Sequence, residues 1–277
     1  MRTLAPFGRR RVAVTGAEDV GPYRVLHAAD PDGPAPWPGQ FYMLASAERW
    51  GAGVDERPFL PRAFSFLHAT QGRLSFMLED VGPGTRRLAE LVAGDGLQIV
   101  GPLGRGFSAP RDGRAAILVG GGIGIPPLVA WARALTEGGV AVRGLLGFRD
   151  AAHAQAARLL AAAPIRVATD DGSVGHHGLV TELLAGELHD ASELRAQHGD
   201  GTAATVYSCG PPAMLEAVRV LCAAREVPAQ LALEAGMACG FGACYGCAVP
   251  LREGGYARVC VDGPVIDAAR LLAVPAR

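Results

Sequence analysis

The sequence predicts a multi-domain chain: an antiparallel β-barrel, an α/β unit on a parallel sheet, and a small cysteine-rich C-terminal unit. Three observations carry this reading. Short β-like runs between glycine and proline turns fill residues 1–110. Strand and helix patterns then alternate through residues 111–234. Residues 235–277 are rich in glycine and cysteine and have little periodicity, so that unit is too small to bury a core of its own.

In the first unit, strands are expected at residues 11–14, 23–27, 40–45, 63–68, 74–78 and 97–100, with one helix at 85–91. Evenly spaced short strands with turn signals are the pattern of an antiparallel barrel. In the second unit, strands are expected at 115–119, 140–147, 165–169, 205–208 and 230–233. Helices are expected at 126–135, 151–161, 179–184 and 211–225. That alternation implies a parallel sheet with helices on both faces.

Composition narrows the function. Of 277 residues, 49% are apolar and 19% charged, enough to build a core. The net charge of −1 creates no field that would recruit nucleic acid or an acidic membrane. The most apolar window, residues 117–135, is broken by glycines, prolines and an arginine, so no membrane span is expected. The basic start leads into no apolar run, so a cytoplasmic placement is expected.

Four of the six cysteines crowd into residues 239–260, which points to metal in a reducing compartment rather than to disulfides. Cys239, Cys244, Cys247 and Cys260 are spaced C-x4-C-x2-C-x12-C. The first three match the plant-type [2Fe–2S] ligand spacing. Each iron needs two thiolates, and the interspersed glycines let backbone N–H groups approach the sulfides. Zinc is the competing reading, but structural zinc favours two C-x2-C-like pairs. Cys222 lies in a helical apolar run and reads as a core residue. Cys209 ends a predicted strand at the sheet edge where ligands bind, although on its own a buried structural thiol is the favoured reading.

Glycines 120, 121, 122 and 124 link a strand to a helix, where a dinucleotide phosphate is expected. The loop departs from G-x-G-x-x-G, and alone it is equally a tight turn. Arg62 and Ser65 lie on a barrel strand, suited to a diphosphate and to a ring nitrogen. Thr85 opens the barrel helix and is suited to the same diphosphate or to plain capping. Arg149, after the second strand of the α/β unit, is placed for a 2′-phosphate. His176 and His177 read as surface loop residues.

Taken together, these segments resemble the ferredoxin–NADP reductase superfamily: RAFS at 62–65, GPGT at 82–85, GGGIG at 120–124 and CGPPAM at 209–214. Residues 101–107 (GPLGRGF), 234–247 and 258–265 are similar to the electron-transfer subunits of NAD-dependent (type B) dihydroorotate dehydrogenases. The resemblance implies FAD on the barrel, NAD on the α/β unit and a [2Fe–2S] cluster at the C-terminus. FAD would meet Arg62, Phe64, Ser65, Met77, Leu78, Glu79, Gly84 and Thr85. NAD would lie at Gly120, Gly121, Gly122, Gly124 and Cys209. Phe64 departs from the commoner Tyr, and Glu79 stands where many relatives carry a basic or polar group. The implied partner is an FMN-containing dihydroorotate dehydrogenase catalytic subunit, in a heterotetramer with two copies of each. Rival readings are a diaphorase or NAD(P)H:ferredoxin-type reductase subunit, and a zinc-stapled nucleotide-binding regulatory module.

Overall fold

A computed structural model describes residues 9–51, 58–111, 114–198 and 204–275. The chain first forms β1 (Arg10–Val20), β2 (Tyr23–Ala29), β3 (Phe41–Ser46), β4 (Arg62–Ser65), β5 (His68–Thr70) and β6 (Arg73–Leu78). Then come α1 (Pro83–Ala89) and β7 (Gly96–Leu103). These strands make one antiparallel sheet in the order β4-β3-β7-β1-β2-β6-β5, curled into a half-barrel. Val14, Leu26, Tyr42, Phe76 and Ile99 fill its interior, and Leu88 of α1 plugs one end. The stretch expected as a single strand at 63–68 is split between β4 and β5. Phe66 leaves the strand and the backbone bends at Leu67; the two side chains are buried in different cores, Phe66 in the barrel and Leu67 against the α/β unit.

Next come β8 (Ala115–Gly121), α2 (Pro126–Glu137), β9 (Val142–Phe148) and α3 (Ala151–Ala154), which runs into a 3-10 turn at Gln155–Leu160. They are followed by β10 (Ile165–Thr169), β11 (His176–His177), α4 (Val180–His198), β12 (Ala204–Cys209), α5 (Pro212–Ala224) and β13 (Ala229–Ala232). The last elements are β14 (Ala248–Pro250), β15 (Tyr256–Arg258), α6 (Val259–Asp262) and β16 (Val265–Asp267). The second sheet is ordered β11-β10-β9-β8-β12-β13-β16 and is parallel except at β16. Leu128, Trp131 and Leu135 of α2 cover one face. Leu184 and Leu188 of α4 and Leu215 and Val218 of α5 cover the other. β8 pairs with both β9 and β12, so successive crossovers leave it in opposite directions. The crevice at the carboxyl ends of β8 and β12 is where ligands bind in such sheets.

The C-terminal segment has no separate core. β16 pairs antiparallel with β13 and completes the second sheet. Cys247, Val249, Val259, Cys260 and Leu271 join the same apolar cluster as α4 and α5. β14 and β15 form a small hairpin above it.

Aromatic packing fixes the barrel to the α/β unit. Phe107 stacks on Trp131 with centroids 5.8 Å apart, and Tyr207 meets both rings edge-on. The Tyr207 hydroxyl donates to the Ser108 carbonyl, and Trp37 Nε1 donates to the Phe107 carbonyl. Among the described residues, no helix is long and apolar enough to cross a membrane.

Candidate functional site

A cleft of about 740 Å³ opens where three parts of the chain meet. The barrel supplies Arg62, Phe64 and Ser65 from β4, Met77 from β6, then Glu79 and Thr85. The α/β unit supplies Gly124, the first turn of α2 and Cys209. The segment leading to the cysteines supplies residues 232–238, ending one residue short of Cys239.

Arg62 and Gly84 are brought into contact. A Cβ on Gly84 would lie 2.6 Å from Arg62 Nε, so only glycine lets the guanidinium lie across this helix start. The same guanidinium stands over the Trp50 ring and donates to the Leu60 carbonyl. Thr85 Oγ1 accepts from the Val81 and Gly82 N–H groups and donates to the Gly82 carbonyl, so its hydroxyl shapes the turn into α1. Met77 faces the cleft, whereas the Leu78 side chain points into the barrel core, as strand alternation requires. Glu79 accepts a hydrogen bond from Arg149, the residue expected at a 2′-phosphate.

The glycine loop runs from the end of β8 through a 3-10 turn at Gly122–Gly124 into α2. Gly120 is register-paired with Cys209, so the two sequence motifs meet side by side at the crevice. Gly120 and Gly121 belong to the strand end, and of the four loop glycines only Gly124 lines the cleft. Burial pushes the Cys209 thiol well above its ordinary range, and the nearby Glu234 charge adds to this. Cys209 therefore enters the cleft as a neutral thiol. Cys222 is a core residue. His176 and His177 are exposed on the edge strand β11, with His176 paired to Glu182.

The four C-terminal cysteines come together in pairs. Cys247 and Cys260 are buried with sulfurs 3.2 Å apart, and the Cys260 N–H points at Cys247 Sγ. Cys239 and the exposed Cys244 are hydrogen-bonded to each other. Burial raises the Cys239 thiol, but N–H groups of Phe241, Cys244 and Ala243 and the Cys244 side chain outweigh it, bringing it down to about 6. That loop is a cradle for negative sulfur. Burial and the adjacent Cys247 push Cys260 up to about 12, a penalty that cationic iron between the two sulfurs would reverse. Among the described residues, no three His, Cys, Asp or Glu side chains gather around one point that a single metal ion would occupy. Two pairs suit two irons with two thiolates each, and they do not suit one tetrahedral zinc.

Sequence reasoning missed Phe41, Ile123, Leu233, Met237 and Pro264 as cleft residues. Ile123, Met237 and Pro264 lie inside segments the sequence singled out, but as apolar neighbours of the motif residues; Leu233 and Pro264 reach the cleft through the pairing of β13 with β16.

Residues 234–272 match the family described as the iron–sulfur cluster binding domain of dihydroorotate dehydrogenase B. The chain is 40% identical over 243 residues to the dihydroorotate dehydrogenase B (NAD(+)) electron transfer subunit of Geobacillus kaustophilus (strain HTA426), covering 85% of this chain and 86% of that protein. It belongs to this family of electron transfer subunits. The Clostridium acetobutylicum member is 34% identical over 235 residues, with 85% and 86% covered. Among solved structures, an NADH-dependent reduced ferredoxin–NADP oxidoreductase superposes with a TM-score of 0.74 at 23% identity, covering 95% of this chain and 90% of that one. A ferredoxin reductase of carbazole 1,9a-dioxygenase gives 0.65 at 21%, covering 81% and 67%. The fold of these electron transfer subunits is thus that of the ferredoxin reductases.

Proposed function

We propose that this chain links dihydroorotate oxidation on an FMN-containing partner subunit to reduction of NAD+, in a heterotetramer with two copies of each subunit. The observation that carries the reading is the cleft whose three walls are the barrel strand with Arg62, the sheet crevice at Gly124 and Cys209, and the approach to Cys239. When bound, a [2Fe–2S] cluster carries single electrons, FAD exchanges one or two, and the nicotinamide takes a hydride.

The division of labour follows from the walls. Residues 1–110 carry FAD, residues 111–234 carry the dinucleotide, and residues 235–277 carry the cluster. Arg62, held against Gly84, supplies positive charge for the FAD diphosphate, and the backbone at Thr85 supplies N–H groups. Phe64, Ser65 and Met77 flank the ring position, and Leu78 contributes backbone alone. Gly120, Gly121, Gly122 and Gly124 let a second diphosphate approach the start of α2. Cys239 with Cys244, and Cys247 with Cys260, hold one iron each. No residue of this chain needs to act as acid or base. Its residues position the carriers and exclude water from the space between them. Cysteines kept reduced for metal fit a cytoplasmic setting.

The test is reduction of NAD+ by dihydroorotate, followed optically, with the partner subunit present. A preparation that shows flavin and cluster absorption but no such activity would favour another redox partner. A colourless protein holding one zinc would sink the redox reading altogether.

A further inference from the structure

Arg62 is the sole basic side chain lining the cleft among the described residues, and it is engaged on the barrel wall. Among the described residues lining the cleft, the glycine wall contributes no cation. The guanidinium close to it by strand register is that of Arg149. Gly147 of β9 pairs with Gly121 of β8, and Arg149 follows two residues later at the same carboxyl edge. Its backbone is fixed there, because its carbonyl accepts from the Asp171 N–H.

The Arg149 side chain is turned away toward the barrel. Nη2 donates to Glu79 Oε1 and meets His153 Nε2 at 2.7 Å. His153 Nδ1 in turn lies 2.7 Å from Asp150 Oδ1. The Tyr23 ring packs edge-on against His153 from the barrel side. Arg149 is 63% exposed and its carboxylate partner 21%. A single ion pair on so exposed a guanidinium is weak, because solvent screens it and ordering the long side chain costs entropy. A diphosphate carries two charges and accepts from a guanidinium in bidentate fashion, so it outcompetes one carboxylate.

We infer that Arg149 is the cation for the dinucleotide diphosphate, and that Glu79 is its counter-ion in the empty site. The inference rests on the dinucleotide reading of the glycine loop. Binding then requires Arg149 to exchange Glu79 for phosphate, and Glu79 lowers dinucleotide affinity by holding part of the population in the paired state. The barrel residue thus acts on dinucleotide binding through Arg149, as a positioning residue.

The experiment is calorimetric titration of the flavin- and cluster-loaded protein with NAD+ and with NADP+. Arg149→Ala is expected to weaken both dinucleotides by about tenfold, the scale of one charge-assisted contact. Glu79→Gln is expected to tighten both by about threefold, and to change nothing in the Arg149→Ala background. A merely structural role for Glu79 would loosen binding instead. Wild-type affinity in Arg149→Ala, or weaker binding in Glu79→Gln, overturns the inference. A loss confined to NADP+ moves Arg149 to the 2′-phosphate and overturns it as well. Flavin loss in Glu79→Gln assigns that carboxylate to the flavin and removes its counter-ion role. Failure of the wild-type protein to bind NAD+ at all would instead sink the functional reading beneath it.

Discussion

Arg62 and Gly84 show how one missing side chain sets a binding residue. The guanidinium lies where a Cβ on Gly84 would sit, 2.6 Å from Nε, and its neighbour is backbone of α1. Gly84→Ala must push Arg62 off the helix start while leaving its charge in place. We expect flavin affinity to fall by about tenfold, read as the flavin-to-protein ratio after dialysis, with little change in the thermal midpoint. Cys209 makes a second prediction at this scale. Its folded thiol is raised by burial, so the thiolate is absent at pH 8, whereas an unfolded cysteine has titrated in part. Alkylation at pH 8 should therefore spare Cys209 in the native protein and label it once the chain is denatured. Native labelling, mapped by mass spectrometry, would contradict the neutral buried thiol.

At the scale of elements, β16 ties the cluster segment to the rest of the molecule through three residues paired with β13. Ile266 is buried there, in the cluster that also holds Cys247 and Cys260. Ile266→Ala should cost about 2–5 kcal/mol in denaturant unfolding, since it leaves a cavity where two parts meet. This strand was not legible in the sequence. Three residues after a proline have no period, and their partner lies more than thirty positions earlier. By contrast, β8 and β12 could be read directly, because strands covered on both faces are apolar runs bounded by turn residues. β10 ends where expected, at Ile165 and Thr169. β1 runs to Val20, past the expected end at residue 14, because a register shift between Val14 and Gly16 breaks the alternation a reader looks for. α4 extends to His198, well past residue 184, since its later residues are polar and weaken the apolar stripe. The site divides in the same way. Cysteine spacing and glycine loops are local and were visible. The Glu79–Arg149 pair joins residues seventy positions apart, and only the docking of barrel on sheet brings them together.

For the whole molecule, the order of the walls matters more than any one of them. The cleft is lined by Gly124 of the glycine loop and by residues 232–238, which lead into Cys239, so the proposed order of carriers is dinucleotide, flavin, cluster. An arrangement in series predicts that removing the far end spares chemistry at the near end. Cys244 is the proposed ligand to remove, because it is exposed and its loss opens no cavity, whereas Cys247 and Cys260 are packed in the core. Cys244→Ser should abolish the cluster absorption and lower iron content while flavin remains bound. NADH oxidation by a dye that accepts from flavin should then stay within about twofold of wild type, as expected for a surface change away from that chemistry. Dihydroorotate-dependent reduction of NAD+ with the partner subunit should fall by about a hundredfold or more, because single electrons no longer have a carrier across the gap. Equal losses in the two assays would mean that cluster and flavin do not act in series. Retention of both would mean that the partner delivers electrons to the cleft by another face of the barrel.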